Sequence, residues 1–530
     1  MPPLKGVPTL GVLTCSEVSK LVSLSCSRIE QYTGDTKQEN CDTFSTVLLE
    51  LPINLLETVI LASINLVIKK VDRSRDSQHG LSTALELLPQ PSVTVLDYGQ
   101  LFTGARLSRA INTQCRAAIR TSLSRTPLLT KLVLSSKCTN DILETLGRNC
   151  VKLKELHISC SELVTDVGMS WLVPCVSQIF TGGDAATPDN WSPHAGCPAL
   201  VTIDLLKCWN ISPSGAKLLL LGLKRLRKLM FSNMKSVIEG LCATGQDNEG
   251  PWLLEYFDST EYDLVTDYST EVIAGNNPAC WMSGPVKMTT IPELFPNITT
   301  IKMMLTDAEV QNLVNIPNLV HIEVEFSDDP GVGLLTLLDT HPNNCKFDLL
   351  FLQVGTILAS HLLAIGRNCP KLGYLRIIGF QVGNCEVLIP SSSYFQSLTQ
   401  LHLSLYDTNV ESSDEDDDEG GGAPHTPEII TFFLLPAKNL KVIIIHMNCD
   451  TFLDDFYLHK LFNMNSFSHL KRLSLSGPKD LKLTLATVEW VVASLPMLTR
   501  LTVSKWSVGL KELKTLRNIV KRSNHDLVYD

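Results

Sequence analysis

The chain of 530 residues lacks an apolar run long enough to cross a bilayer. Its longest candidates, Leu218 to Leu221 and the interrupted stretch from Leu55 to Ile68, fall short of the roughly 18 to 20 residues a spanning helix needs. The start, Met1-Pro-Pro-Leu-Lys5, has no basic region leading into a long apolar core, so no secretory leader is expected. Clustered Lys and Arg are also missing, which argues against a general nucleic-acid surface. The net charge of −10 comes mostly from one run, Glu411-Ser-Ser-Asp-Glu-Asp-Asp-Asp-Glu419, whose seven acidic residues leave the rest of the chain at −3. There is no Gly-x-Ser-x-Gly elbow, no phosphate-binding Gly-rich loop with its Lys, and no His-Glu-x-x-His helix, so neither an enzyme nor a cofactor is expected. His157-x-x-Cys160 has a spacing that metal sites use, but no second pair accompanies it, and no metal is expected. The 16 cysteines are scattered rather than packed into a small framework. They read as buried thiols in a reducing, intracellular compartment, cytoplasmic or nuclear.

What the chain does have is a recurring unit. Leu153-x-x-Leu156-x-Ile158 suits a short strand with alternate side chains on one face, and Met169 and Leu172 follow at helical spacing. Neither half can bury its apolar side alone, so each unit must cover its neighbour. Strand starts recur at Leu129, Leu153, Leu200, Leu226, Leu254, Ile298, Leu319, Phe347, Leu372, Leu398, Leu440, Leu470 and Leu498, with a degenerate unit at Val93, Leu96 and Tyr98. Nine of the twelve separations lie between 21 and 30 residues, room for one strand and one helix each. The long intervals imply loops near residues 174–196, 245–285 and 407–427, the last carrying the acidic run as a solvated, disordered segment.

This pattern resembles the leucine-rich-repeat superfamily. Cys197-Pro-Ala-Leu200-x-x-Ile203-x-Leu205-x-x-Cys208-x-x-Ile211-Ser212-x-x-Gly215 is similar to the cysteine-containing, ribonuclease-inhibitor-like repeats common in F-box receptors, and Val164-Thr165-Asp166-x-Gly168 looks like the same helix entry. The resemblance implies an α/β solenoid, with a curved parallel β-sheet on the concave side and helices on the convex side, over about residues 93–530. Thr165 or Asp166 is expected to cap the following helix.

Residues 1–92 do not carry the repeat. Thr9–Val18 and Lys20–Ile29 read as amphipathic helical pieces and Gly34 to Asn40 as a polar break. In Leu51-Pro52-x-x-Leu55-Leu56-x-x-Val59-Ile60, Pro52 suits a first helical turn and the apolar residues share one face. That motif resembles the opening of an F-box, although the later Val-x-x-x-Trp of that module is missing. Thr9-Leu10 and Cys15 resemble an elongin C binding box with a spacing of five in place of four. The resemblance implies a substrate-recognition subunit of a cullin-RING ubiquitin ligase, with Leu51, Pro52, Leu55, Leu56, Val59 and Ile60 docking the adaptor. The residues leave a second reading open, a scaffold without a role in ubiquitination whose helix only caps the repeats. Whether Leu55, Leu56 and Val59 face solvent or the first repeat separates the two.

In each repeat the residue between the last two apolar positions is expected on the face away from the core: Val133, His157, Asp204, Met230, Lys302, Glu323, Phe351, Arg376, His402, Ile444, Ser474 and Thr502. Phe351, Tyr374, Arg376 and His402 stand out as a candidate protein-binding patch, because aromatic and Arg side chains anchor interfaces. Ser412 and Ser413 each precede an acidic residue by three and are candidate phosphorylation sites.

Overall fold

The computed structural model describes residues 10–29, 35–49, 55–60, 62, 63, 66, 79–99, 109–174, 195–243, 252–258, 291–342, 346–383, 388–406, 426–448, 454–476, 484–504, 514, 515, 518 and 526–528. The chain forms two compact units, one of Val7–Val286 with Glu293–Asn297 and one built mainly of Ile298–Asp530.

The N-terminal unit opens with helices α1 (Leu10–Ile29), α2 (Asp35–Leu49), α3 (residues 55–60) and α4 (His79–Leu87). α1 is one helix where the sequence suggests two pieces, and α2 occupies most of the expected polar break. No Pro lies in either, and Gly11 falls in the first turn of α1 rather than between the two expected pieces. Strands and helices then alternate: β1 (Val95–Asp97), α5 (Arg109–Leu123), β2 (Lys131–Val133), α6 (Asn140–Asn149), β3 (Glu155–His157), α7 (Asp166–Leu172), β4 (Thr202–Asp204), α8 (Pro213–Gly222), β5 (Lys228–Met230), α9 (Met234–Ala243) and β6 (Tyr256–Asp258). β1 to β6 pair in parallel, each with the next in sequence.

After the short α10 (Ile291–Leu294), the C-terminal unit continues the alternation with β7 (Thr300–Leu305), α11 (Asp307–Gln311), β8 (His321–Phe326), α12 (Val332–Thr340), β9 (Leu349–Gln353), β10 (Thr356–Leu358), α13 (Ala359–Asn368), β11 (Tyr374–Gly383), β12 (Gln400–Tyr406), α14 (Thr426–Leu434), β13 (Val442–Asn448), α15 (Asp455–Met464), β14 (Arg472–Ser476), α16 (Leu485–Ser494), β15 (Arg500–Ser504) and β16 (Asp526–Val528). Its strands are parallel in the order β7-β8-β9-β11-β12-β13-β14-β15-β16, with β10 beside β11.

All thirteen expected starts lie two residues ahead of a strand; β10 and β16 are additions. The reason is visible in the backbone. The carbonyl just before a strand accepts from two successive N–H groups of the next repeat: Thr94 O from Thr130 and Lys131 at 2.7 and 3.1 Å, Thr130 O from Lys154 and Glu155, and Thr399 O from Lys441 and Val442. This shared acceptor fixes register, and the Leu-x-x-Leu-x-Leu positions then point one way. Leu129, Leu132, Leu134, Leu153, Leu156 and Ile158 are each 0% exposed; burying one such side chain contributes about 1.5–3 kcal/mol. Cysteine thiols fill the tight returns. Cys150 Sγ donates toward Leu123 O and Thr126 O at 3.8 and 3.6 Å, Cys197 Sγ toward Leu146 O, and Cys208 Sγ toward Ile158 O at 3.2 Å. Burial raises the Cys150 thiol to about 12, so it stays protonated and unreactive.

The helix layer has its own repeating link. Asp166 does not cap α7, and Thr165 makes no side-chain cap there. Instead Asp166 reaches forward, accepting from Ser212 N at 2.8 Å and Ser212 Oγ at 2.5 Å at the start of α8. The same first-turn position recurs: Asn140 exchanges two bonds with Thr165, Asp307 accepts from Gly333 N and Leu334 N at 2.7 and 2.9 Å, and Asp455 accepts from Thr484 N at 2.8 Å. Each of these four helices, α6, α7, α11 and α15, thus satisfies N–H groups at the start of its successor.

Candidate protein-binding face

The expected row away from the core is continuous in register within each unit. In the N-terminal unit Val133, His157, Asp204 and Met230 are successive partners, followed by Asp258. In the C-terminal unit Lys302, Glu323, Phe351, Arg376, His402, Ile444, Ser474 and Thr502 are successive partners.

Charge is arranged differently along this face. On β2 to β4 it is paired: Lys131 Nζ lies 2.7 Å from Glu155, whose carboxyl is held below the ordinary range mainly by that bond, and His157 Nδ1 is 3.7 Å from Asp204. On β7 to β9 it is also paired, with Lys302 3.7 Å from Glu323, His321 3.6 Å from Asp348, and Gln353 Nε2 donating to Glu325 at 3.1 Å.

From β11 onward the face is cationic. The Arg376 guanidinium lies over the Phe351 ring at 5.1 Å. The His402 and His446 rings are 5.3 Å apart, and His446 Nδ1 bonds Ser476 Oγ. Burial, then the charges of Arg376, His446 and Arg472, lower His402 to about 3, so it is neutral at physiological pH. Burial and the same two arginines lower His446. Burial, then Arg500, lowers Arg472 from its ordinary value.

The structure therefore brings Phe351, Tyr374, Arg376 and His402 onto adjacent strands β9, β11 and β12. One detail differs from expectation. Phe351 is 3% exposed rather than open to solvent, because Arg376 from the next strand covers its ring. His446 and Arg472 belong to the same face, two residues after and two residues before the central row, and the sequence reading missed them. Strand periodicity could have found them, since positions two apart share a face.

The N-terminal candidate set divides. Leu56, Val59 and Ile60 are 1%, 2% and 0% exposed, whereas Leu55 is 39% exposed. α3 is tied on both sides: Ser19 Oγ of α1 donates to Val59 O at 3.5 Å, and Glu57 Oε1 accepts from Thr94 N and Oγ1 at 2.7 and 2.6 Å just ahead of β1. Leu51, Pro52, Ser412 and Ser413 lie outside the described residues, as do the side chains of Leu10 and Cys15.

Among the described residues no group of three or more His, Cys, Asp or Glu is placed to hold a metal, and no helix is long and apolar enough to cross a membrane. Cys160 is exposed, and His157 faces Asp204.

No protein-family model matches the chain, and no curated protein is significantly similar to it in sequence. Solved structures are similar at low identity. A leucine-rich-repeat protein of Leptospira interrogans, LIC12759, is 16% identical over 84% of this chain and 98% of that one, with a TM-score of 0.32. Rad7, solved with Elc1 in yeast, is 13% identical over 99% and 98%, with a TM-score of 0.42. TLR13, solved with the RNA ssRNA13, is 13% identical over 73% and 44%, with a TM-score of 0.35. The fold assignment rests on strand register: each unit of this chain is a parallel α/β stack of the leucine-rich-repeat type.

Proposed function

We propose that this protein recognises other proteins through the sheet face of β9 to β14. The observation that carries the reading is the continuous row from Phe351 to Ser474, flanked by Tyr374, His446 and Arg472, on strands held rigidly in register. A preformed surface with aromatic and Arg groups loses little side-chain entropy on binding. Substituting Tyr374→Ala with Arg376→Ala should reduce partner capture from a lysate at least tenfold while leaving the melting temperature within a few degrees; capture unchanged for every partner removes this face from the proposal.

A narrower reading makes the protein the substrate receptor of a cullin-RING ligase, in line with the F-box-like motif and the cysteine-containing repeats. Burial of Leu56, Val59 and Ile60 favours the other alternative, in which α3 caps the repeats. Support for the receptor reading comes from apolar side chains left outside on the N-terminal helices: Leu21 is 65%, Val47 57% and Leu55 39% exposed. An adaptor would use these rather than the buried set. Affinity purification decides: co-purified cullin and adaptor lost on Leu21→Asp with Leu55→Asp supports the receptor, and their absence from the intact protein leaves the scaffold.

A further inference from the structure

Among the described residues, the face from β11 to β15 carries Arg and His side chains and no carboxylate. Its described side chains at the positions pointing away from the core are Tyr374, Arg376, Ile378, Gln400, His402, Ser404, Val442, Ile444, His446, Arg472, Ser474, Ser476, Arg500 and Thr502, with no Asp or Glu among them. On β7 to β9 of the same unit the face carries both signs, with Lys302 beside Glu323 and His321 beside Asp348. Arg500, on β15, lies outside the site.

Two enclosed donors make the imbalance specific. Arg472 Nε and His402 Nε2 are shut off from solvent with no hydrogen-bond partner among the described residues. An enclosed donor without a partner costs about 1–3 kcal/mol, and a charged one more. A fold that tolerates this in two groups of one sheet face, on β12 and β14, gains when an acceptor arrives.

We propose that Arg376, His402, His446 and Arg472 bind a carboxylate-rich segment of a partner protein. The inference rests on the protein-recognition reading above and names the chemistry of the partner. Arg376 and Arg472 lie three strands apart and two residues out of step, roughly 16 Å at about 4.8 Å per strand and about 3.4 Å per residue. That exceeds the reach of one anionic group. It matches an extended peptide of about five residues lying across the strands, with acidic side chains at alternate positions, roughly 7 Å apart, all turned to the sheet. Each Arg can grip one carboxylate with two parallel N–H bonds. His402 Nε2, between them, donates to a third acceptor.

The test is fluorescence anisotropy with labelled polyglutamate of about ten residues, using the full chain. Saturable binding is expected that weakens as salt rises, falls at least tenfold in Arg472→Gln and in Arg376→Gln, falls less in Arg472→Lys, which keeps the charge but not the two-bond grip, and is unchanged in the remote control Lys20→Gln. Circular dichroism melts establish that each variant is folded; if Arg472→Gln is not, His402→Leu supplies the same comparison. No binding, or binding equally strong in the folded variants, overturns the proposal. So does a phosphoserine peptide or single-stranded RNA that binds where polyglutamate does not. If polyglutamate fails yet Tyr374→Ala with Arg376→Ala still abolishes partner capture, the anion assignment falls and the recognition reading stands.

Discussion

At the scale of single residues, the helix-entry glycines show how tightly one repeat is fitted to the next. A Cβ on Gly215 would stand 2.2 Å from Asp166 Oδ1, and one on Gly333 1.9 Å from the Asp307 carbonyl oxygen. Gly215→Ala is therefore expected to cost about 2 kcal/mol or more, read as a shifted midpoint in urea unfolding, because either the cap or α8 must move. The Gly168 and Gly215 positions were legible in the sequence as part of a repeat signature. Their physical role, admitting the first-turn side chain of the preceding helix, Asn140 at Gly168 and Asp166 at Gly215, was not, since the cap runs between repeats and spacing within one repeat cannot show it. His402 gives a second test. In the unfolded chain it titrates near 6.5; in the fold, burial and the facing groups Arg376, His446 and Arg472 hold it near 3. Between those values only the unfolded chain binds the proton, so the stability present above about pH 6.5 is lost as pH falls toward 3, by at most about 1.4 kcal/mol per pH unit for one site. Thermal melts at pH 7 and pH 4 should differ less in His402→Gln than in the parent chain. An equal difference would show that His402 does not carry the effect.

At the scale of elements, stability passes along the helix layer through the forward caps. Asp307 satisfies two N–H groups of α12, and Asp455 reaches Thr484 ahead of α16. Burial tends to raise the Asp455 carboxyl, but bonds from Thr487 and Thr484 outweigh it and the net shift is downward. Asp307→Ala should destabilise by about 1–2 kcal/mol, and hydrogen exchange should show the added opening in α12, the following helix, rather than in α11. Equal exchange in both would place the cap's effect elsewhere. The strands were legible because Leu-x-x-Leu-x-Leu spacing answers directly to one buried face. β10 and β16 were not: Ile357 is followed by Ala359 and Leu527 is preceded by Asn524, so neither Thr356–Leu358 nor Asp526–Val528 carries the full Leu-x-x-Leu-x-Leu spacing. α2 was misread because its polar start, Asp35 to Asn40, suggests a loop, whereas its sequence contains no helix breaker.

At the scale of the whole molecule, the sequence pattern carried the parallel architecture, and what it hid was the exposure of particular side chains. Translation from repeat to repeat is a property of spacing. Whether Phe351 meets solvent depends on Arg376 one strand away, and Leu56 is 1% exposed although Leu55 beside it is 39% exposed. The acidic run, Ser412 and Ser413 fall outside the described residues, and their modification remains a proposal that phosphopeptide mapping can decide. The proposed function depends on register, because only strands held in step can set Arg376, His402, His446 and Arg472 on one face. The most direct measurement is oxidative cross-linking between β13 and β14. Cysteines at Ile444 and Ser474 are register partners and should form a disulfide readily, detected by mass spectrometry. Cysteines at Ile444 and Ser476, offset by two residues and so more than about 7 Å apart, should not. Preferential bridging of the offset pair would contradict the register on which the binding face depends.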